Sequence, residues 1–142
     1  MRAALLAVMA LVLSPHTFAC GHCVEDKMAA VYDHATVTRA LAQKHQVAFF
    51  HVEGELAPGP ATKRALEGLA NDVPGVDRGS ARVSPESAAL SVAFDPQLVS
   101  AAALQAALER KLAAGRKRLM LLQVMDRPAD FSPSIARAVQ PR

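Results

Sequence analysis

Two cysteines, Cys20 and Cys23, are the only thiols in the 142-residue chain, and Gly21 and His22 stand between them. Two thiolates at this spacing can hold one soft or borderline metal ion, and the imidazole of His22 offers a third ligand. The same thiols can instead form a structural disulfide or exchange disulfides with other proteins. We therefore predict Cys20, His22 and Cys23 as ligands of a copper or zinc ion, with the two disulfide uses as alternatives.

The residues before Cys20 have the pattern of a secretory leader. Arg2 is followed by an apolar run over 3–13, and small residues lead up to Ala19. The run is too short to cross a bilayer, and no stop-transfer pattern follows it. We predict a signal peptide over 1–19, export to the periplasm or the outside, and no transmembrane segment after cleavage. Lipidation of the new terminal cysteine is the alternative.

Composition limits the remaining functions. The chain carries a formal charge of +3 and 51 % hydrophobic residues, enough for one modest domain after the leader is removed. The basic run 116–118 is short and lacks interleaved aromatic residues, so no nucleic-acid partner is expected. No Ser-His-Asp set, paired carboxylates or phosphate loop indicates a hydrolase or a kinase. Apart from the thiol–disulfide alternative, the sequence predicts no enzyme.

The segment that follows the cysteines is helix-like. Between 24 and 44, apolar residues such as Val24, Met28 and Val31 recur at three- and four-residue spacing. Asp33 is placed to end this helix and cap a second one. The cysteines thus lie at a predicted helix N-terminus, where unpaired N–H groups and the helix dipole favour thiolate over thiol.

From residue 46 onward the pattern alternates between strands and helices. We predict strands at 47–52, 80–83, 88–94 and 119–125, and helices at 61–71 and 100–114. This order defines an α+β fold, a ferredoxin-like βαββαβ sandwich with an extra N-terminal helix. The predicted parts of the mature chain are a segment over 20–45 with the cysteines and the first helix, the sandwich over 46–125, and a flexible tail over 126–142.

Several short motifs in this region resemble one known family. They are Phe50-His51-Val52-Glu53-Gly54, Val73-Pro74-Gly75-Val76, and Ala93-Phe94-Asp95-Pro96 followed by Leu98-Val99-Ser100. Together they are similar to the heavy-metal-associated (HMA) domain, a small carrier of copper, zinc or mercury. The resemblance implies the ferredoxin-like fold, a bound metal ion, and an envelope metal-transport protein as a partner.

The chain departs from the family at the family's own metal loop. That loop carries Met-x-Cys-x-x-Cys directly after the glycine that matches Gly54, but here the cysteine positions hold Ala57 and Pro60. Two interpretations follow. Either the metal site has moved to Cys20 and Cys23, or the domain has become a metal-free module for binding another protein.

The sheet face without the two sandwich helices also differs from the family, which keeps it polar. Strand alternation would place Val47, Phe49, Leu119 and Leu121 there. An apolar face needs a cover. We predict that the helical segment 24–44 packs against it, with a partner protein as the alternative.

Overall fold

The computed structural model describes the backbone of residues 20–128 and the side chains of residues 24–128. The predicted signal peptide, 1–19, and the predicted tail from residue 129 onward lie outside the described residues. Within residues 20–128, no helix is long and apolar enough to span a membrane.

Four α-helices and four strands make up the described chain. They are α1 Cys20–Val31, α2 His34–Ala42, β1 Gln46–Glu53, α3 Pro60–Asn71, β2 Arg82–Ser84, β3 Ala89–Phe94, α4 Ala101–Leu112 and β4 Arg118–Met125, with a short 3-10 helix at Ala113–Gly115 before β4. The sheet is antiparallel, in the order β2-β3-β1-β4. This confirms the predicted ferredoxin-like βαββαβ fold, with the extra N-terminal helix present as two helices.

Helix capping explains the break between α1 and α2. Asp33 is extended, and its carboxylate accepts a hydrogen bond of 2.7 Å from the backbone N–H of Thr36. Ser100 starts α4 in the same way, because its hydroxyl accepts from the N–H of Ala103 at 3.2 Å. Each cap satisfies an N–H group that has no partner inside its helix.

Both faces of the sheet are buried, and each has its own core. Helices α3 and α4 cover one face, and this first core includes Phe50, Phe94, Leu104 and Leu108. Helices α1 and α2 cover the other, and this second core consists of Met28, Val31, Val37, Ala40, Val47, Phe49, Ala89, Ala93 and Met125. The prediction that the N-terminal helical segment covers the second face is confirmed.

The prediction for that face was wrong at Leu119 and Leu121. Leu119 pairs with Val52 and packs into the first core, and Leu121 pairs with Phe50 and is 37 % exposed. The cause is a bulge, because one step in β1, from Phe49 to its neighbour, spans two residues in β4. An extra residue moves every side chain beyond it to the opposite face.

Strand β2 begins later than predicted because the side chain of Ser80 takes the place of backbone hydrogen bonds to β3. The hydroxyl of Ser80 accepts from the N–H of Ala93 at 3.1 Å and donates to the carbonyl of the same residue at 3.3 Å. Ser80 thus satisfies the backbone of β3 without being in strand conformation. The regular pairing starts only at Arg82.

Candidate metal centre

The cysteine motif forms the first turn of α1. The backbone of residues 20–23 is helical and continues directly into Val24. The side chains of Cys20, His22 and Cys23 lie outside the described ones, so their role as ligands stays a prediction. The structure shows toward which end of the sheet the backbone of this turn is directed.

Two hydrogen bonds fix the course of α1 over the sheet. The ammonium of Lys27 donates to the carbonyl of Ser87 at 2.7 Å, and the hydroxyl of Ser91 donates to the carbonyl of Val31 at 2.7 Å. The helix therefore runs with its N-terminus toward the turn between β2 and β3. Because an α-helix rises ~1.5 Å per residue, the backbone of Cys23 lies ~6 Å beyond that of Lys27 along the axis.

The loop that follows β1 lies at the same end of the sheet. The N–H of Gly59 donates to the carboxylate of Glu86 in the β2–β3 turn at 3.1 Å, and Lys117 donates to the carbonyl of Glu55 at 2.8 Å. We call this region, made of loop 54–59, turn 85–88 and the start of β4, the hairpin end. The first turn of α1 and the loop after β1 are thus directed to one end of the sheet.

His51 lies on β1 near the hairpin end and is half-buried. Its Nδ1 is 2.9 Å from the carbonyl oxygen of Ala88. A carbonyl can only accept, so Nδ1 carries the proton, and in the neutral ring Nε2 keeps a free lone pair. Histidines that bind metals are commonly oriented by such a bond from the other ring nitrogen.

The other two described histidines have different surroundings. His34 is exposed, with its Nδ1 3.5 Å from the hydroxyl of Tyr32. His45 is half-buried between carboxylates, with Nδ1 2.9 Å from both oxygens of Asp77 and Nε2 3.8 Å from Asp95. His45, the residue before β1, is thus joined to the loop after α3.

The methionines divide into two groups. Met28 and Met125 are 1 % and 0 % exposed, and both pack in the second core. Met120, by contrast, is 47 % exposed. This residue is therefore partly open to solvent at the hairpin end, where β4 begins.

Hydrogen bonds between polar side chains attach the start of α2 to the sheet. Arg82 on β2 donates from Nε to Asp33 at 3.1 Å and from Nη2 to the hydroxyl of Thr36 at 3.2 Å. The hydrogen bond from the N–H of Thr36, with further help from Arg82, holds the pKa of Asp33 below its usual value despite partial burial. Burial, with the adjacent Asp33 carboxylate, raises the pKa of Tyr32.

The described part of the chain contains no group of three His, Cys, Asp or Glu side chains that could hold a metal ion. A site of that kind would therefore need at least one ligand from outside the described side chains, such as the thiols or the imidazole of the first turn of α1. The spacing of the cysteines marks them as candidate ligands in the sequence. The sequence gives no sign that His51 and Met120 are neighbours, because no local pattern links two residues so far apart in the chain.

No protein-family profile matches the sequence, and no curated protein matches it. Similar solved structures include a copper-binding domain from HMA7, a P-type ATPase, at 22 % identity and a TM-score of 0.45, covering 56 % of this chain and 96 % of that one. The N-terminal domain of a potential copper-translocating P-type ATPase from Bacillus subtilis, in the Cu(I)-loaded state, shows 23 % identity and a TM-score of 0.44 over 58 % of this chain and 94 % of that one. Oxidized MerP from Ralstonia metallidurans shows 20 % identity and a TM-score of 0.43 over 56 % and 99 %.

The strand order and the placement of α3 and α4 define the class of the folded part. It is a ferredoxin-like α+β sandwich. The helices α1 and α2 on the second face are added to that fold, and the loop after β1 contains no cysteine.

Proposed function

We propose that this protein is a small exported heavy-metal-binding protein that holds copper, or another soft or borderline ion, at Cys20, His22 and Cys23. The observation that carries the proposal is the position of the motif as the first turn of α1, directed to the hairpin end. The first N–H groups of a helix have no partner inside it, and with the helix dipole they favour thiolates, which are the form that binds metal.

Helix α1, which would carry such a site, is fixed to the sheet by packing and hydrogen bonds. Helix α1 is held by the buried side chains of Met28 and Val31 and by its hydrogen bonds to Ser87 and Ser91. Metal sites bind tightly when rigid elements hold their ligands near the productive geometry. The helices that distinguish this chain from a plain ferredoxin-like sandwich thus support the turn that carries the thiols.

Export and exchange complete the proposal. The leader over 1–19 would deliver the protein to the periplasm or the outside, and cleavage after Ala19 would make Cys20 the first residue. An ion held at a chain terminus is accessible to a second protein. We therefore propose an envelope metal-transport protein as the partner that gives or receives the ion.

A thiol–disulfide oxidoreductase is the second candidate, since Cys-Gly-His-Cys at a helix start also suits disulfide exchange. In the thioredoxin-like proteins that the motif resembles, a strand precedes it. Here the first strand of the described chain, β1, comes after the motif and begins only at Gln46. This order favours the metal-binding function.

Copper(I) titration of the mature protein against a competing chelator tests the proposal. We expect a Cys20→Ser/Cys23→Ser variant to lose about a thousandfold or more in affinity, since sites built on such ligands bind with about 10–16 kcal/mol. His22→Ala measures the imidazole, and His34→Ala, at an exposed histidine outside the motif, is its matched control. Equal affinity of the wild type and the double serine variant would refute metal binding. Thiol-exchange activity without metal affinity would establish the oxidoreductase.

A further inference from the structure

We propose that a groove between the end of α3 and the outer side of α4 binds an acidic segment of a partner protein, with an apolar side chain of that segment in the groove. Helices α3 and α4 cover the first core, whereas α1 packs on the second core, on the opposite face of the sheet. The groove is therefore separate from the helix that carries the cysteine motif.

Two adjoining depressions form the groove. One has a volume of about 460 Å³ and the other of about 300 Å³, and both are lined by Pro74, Ala107 and Arg110. The larger depression extends to Leu98 in the turn before α4, and the smaller extends to Lys111 near the end of that helix. Pockets that bind ligands have volumes of about 300–1,000 Å³. The groove is thus large enough for the side chains of a bound peptide.

Hydrogen bonds and close packing hold the walls of the groove in place. The carbonyl of Gly75 accepts from the N–H of Asp95 at 3.1 Å, which joins the loop after α3 to the turn after β3. Val99 packs against Gly75 so closely that its Cγ1 would lie 2.5 Å from a Cβ at that position. In the same turn, the carbonyl of Asp95 accepts from the N–H groups of Leu98 and Val99, both at 3.1 Å. The groove is therefore preformed, so binding does not have to order it.

Leu98 presents an apolar side chain at the edge of this groove. It is 76 % exposed, more than any other large apolar residue in the described part of the chain. Pro74 and Ala103, which line the same depression, are exposed as well. Exposed apolar residues that cluster beside polar ones mark surfaces for binding other proteins.

The charged side chains of the groove are both basic. Arg110 and Lys111, in the last turn of α4, are exposed and line the smaller depression. Neither side chain has a hydrogen bond or an ion pair with a described residue, and no Asp or Glu is among the described residues that line the groove. Two free cations beside an apolar surface complement a segment that carries carboxylates and an apolar side chain.

The same charges disfavour two other occupants. A second copy of the chain, bound through the same surface, would place its own basic side chains against Arg110 and Lys111. The segment 129–142 carries two arginines and one aspartate, so its side-chain charge has the same sign as that of the groove. An acidic segment of another protein avoids both conflicts.

Amide shifts in ¹H–¹⁵N NMR spectra of the mature protein test the proposal. The probe is the peptide acetyl-Glu-Leu-Leu-Glu-Glu-amide, titrated at low salt into the millimolar range. We expect saturable shifts at Leu98, Val99, Ala103 and Ala107. A matched peptide with lysine in place of every glutamate should bind about tenfold more weakly or less, and added salt should weaken binding of the acidic probe.

Substitutions in the groove give a second readout. Leu98→Ser should lower the affinity for the acidic probe about tenfold, because it removes the apolar contact. Arg110→Glu should lower it about threefold or more, because an attraction becomes a repulsion. The matched controls Leu121→Ser, on β4, and Arg39→Glu, on α2, are exposed outside the groove and should stay within about twofold of the wild type. Cys20→Ser/Cys23→Ser should bind the probe as the wild type does, so the result is independent of metal binding.

Several results would overturn the proposal. They are the absence of saturable shifts in the groove, equal affinities for the acidic and the lysine peptides, and wild-type affinity in Leu98→Ser. Shifts of the same amides with protein concentration alone would assign the groove to a second copy instead. A higher affinity for the probe in Phe131→Ser would assign it to segment 129–142, which also contradicts the proposal.

Discussion

The contact between Asp33 and Arg82 gives a sharp test of how the N-terminal helices are held on the sheet. One carboxylate oxygen of Asp33 caps α2 by accepting from the N–H of Thr36 at 2.7 Å, and the other accepts from Nε of Arg82 at 3.1 Å. Two substitutions separate these roles. Asp33→Asn keeps the cap and removes the charge, whereas Asp33→Ala removes both.

The expected magnitudes follow from the two interactions. Loss of an N-cap costs about 0.5–2 kcal/mol, and asparagine caps as well as aspartate does. Both charged side chains of the pair are 32 % exposed, so the ion pair contributes about 0.2–1 kcal/mol. We therefore expect Asp33→Asn to lower the free energy of unfolding by less than about 1 kcal/mol. Asp33→Ala should lower it by about 1–3 kcal/mol.

The pH dependence provides an independent readout. The pKa of Asp33 is lower in the folded protein than its ordinary value, mainly because of the Thr36 N–H. A depressed carboxyl pKa stabilises the fold fully above the unfolded pKa, and this contribution is lost as pH falls through the folded pKa. The wild type should therefore lose more stability than Asp33→Asn on acidification below about pH 4.

Urea unfolding of the mature protein, followed by circular dichroism at several pH values, measures both effects. Arg82→Gln is the partner variant, because it removes the charge from the other side of the pair. Equal stability of Asp33→Ala and Asp33→Asn would show that the cap contributes nothing. Parallel pH profiles of the wild type and Asp33→Asn would refute the assigned role of the carboxylate charge.

Three further predictions address the second core, a strained turn and processing. Phe49→Ala should lower the free energy of unfolding by about 3–5 kcal/mol in urea denaturation, because the ring is fully buried, while Leu121→Ala at a 37 % exposed site should cost far less. Gly75→Ala should lower the free energy of unfolding by about 1–3 kcal/mol, since φ is +91° and the new Cβ would lie 2.5 Å from Cγ1 of Val99. The control is Gly68→Ala, in the interior of α3 with open space around the new Cβ, which should leave the free energy of unfolding unchanged or raise it. Equal effects of the two substitutions would contradict the strain at Gly75. The intact mass of the exported protein should correspond to a chain that begins at Cys20, and a diacylglycerol adduct would show lipidation instead.

Several elements could be predicted because their causes are local. The alternation of side chains along β1, the three- and four-residue spacing in α1, and the cap at Asp33 each depend on residues within a few positions of one another. The two apolar faces of β1 also indicated that something must cover the second face. Local structure depends on residues that are neighbours in the sequence, and these local patterns were sufficient to predict the fold class.

Other features were decided only when distant segments met. The bulge that turns Leu119 and Leu121 to the other face depends on how β4 pairs with a strand more than 60 residues earlier. No sequence pattern within β4 predicts this bulge. The same register makes His51 and Met120 neighbours. The spacing of Cys20 and Cys23 marks a candidate site from the sequence alone, but which side chains of β1 and β4 are neighbours depends on ladder hydrogen bonds. Those bonds form between backbones whatever the side chains are, so local sequence does not specify the pairing.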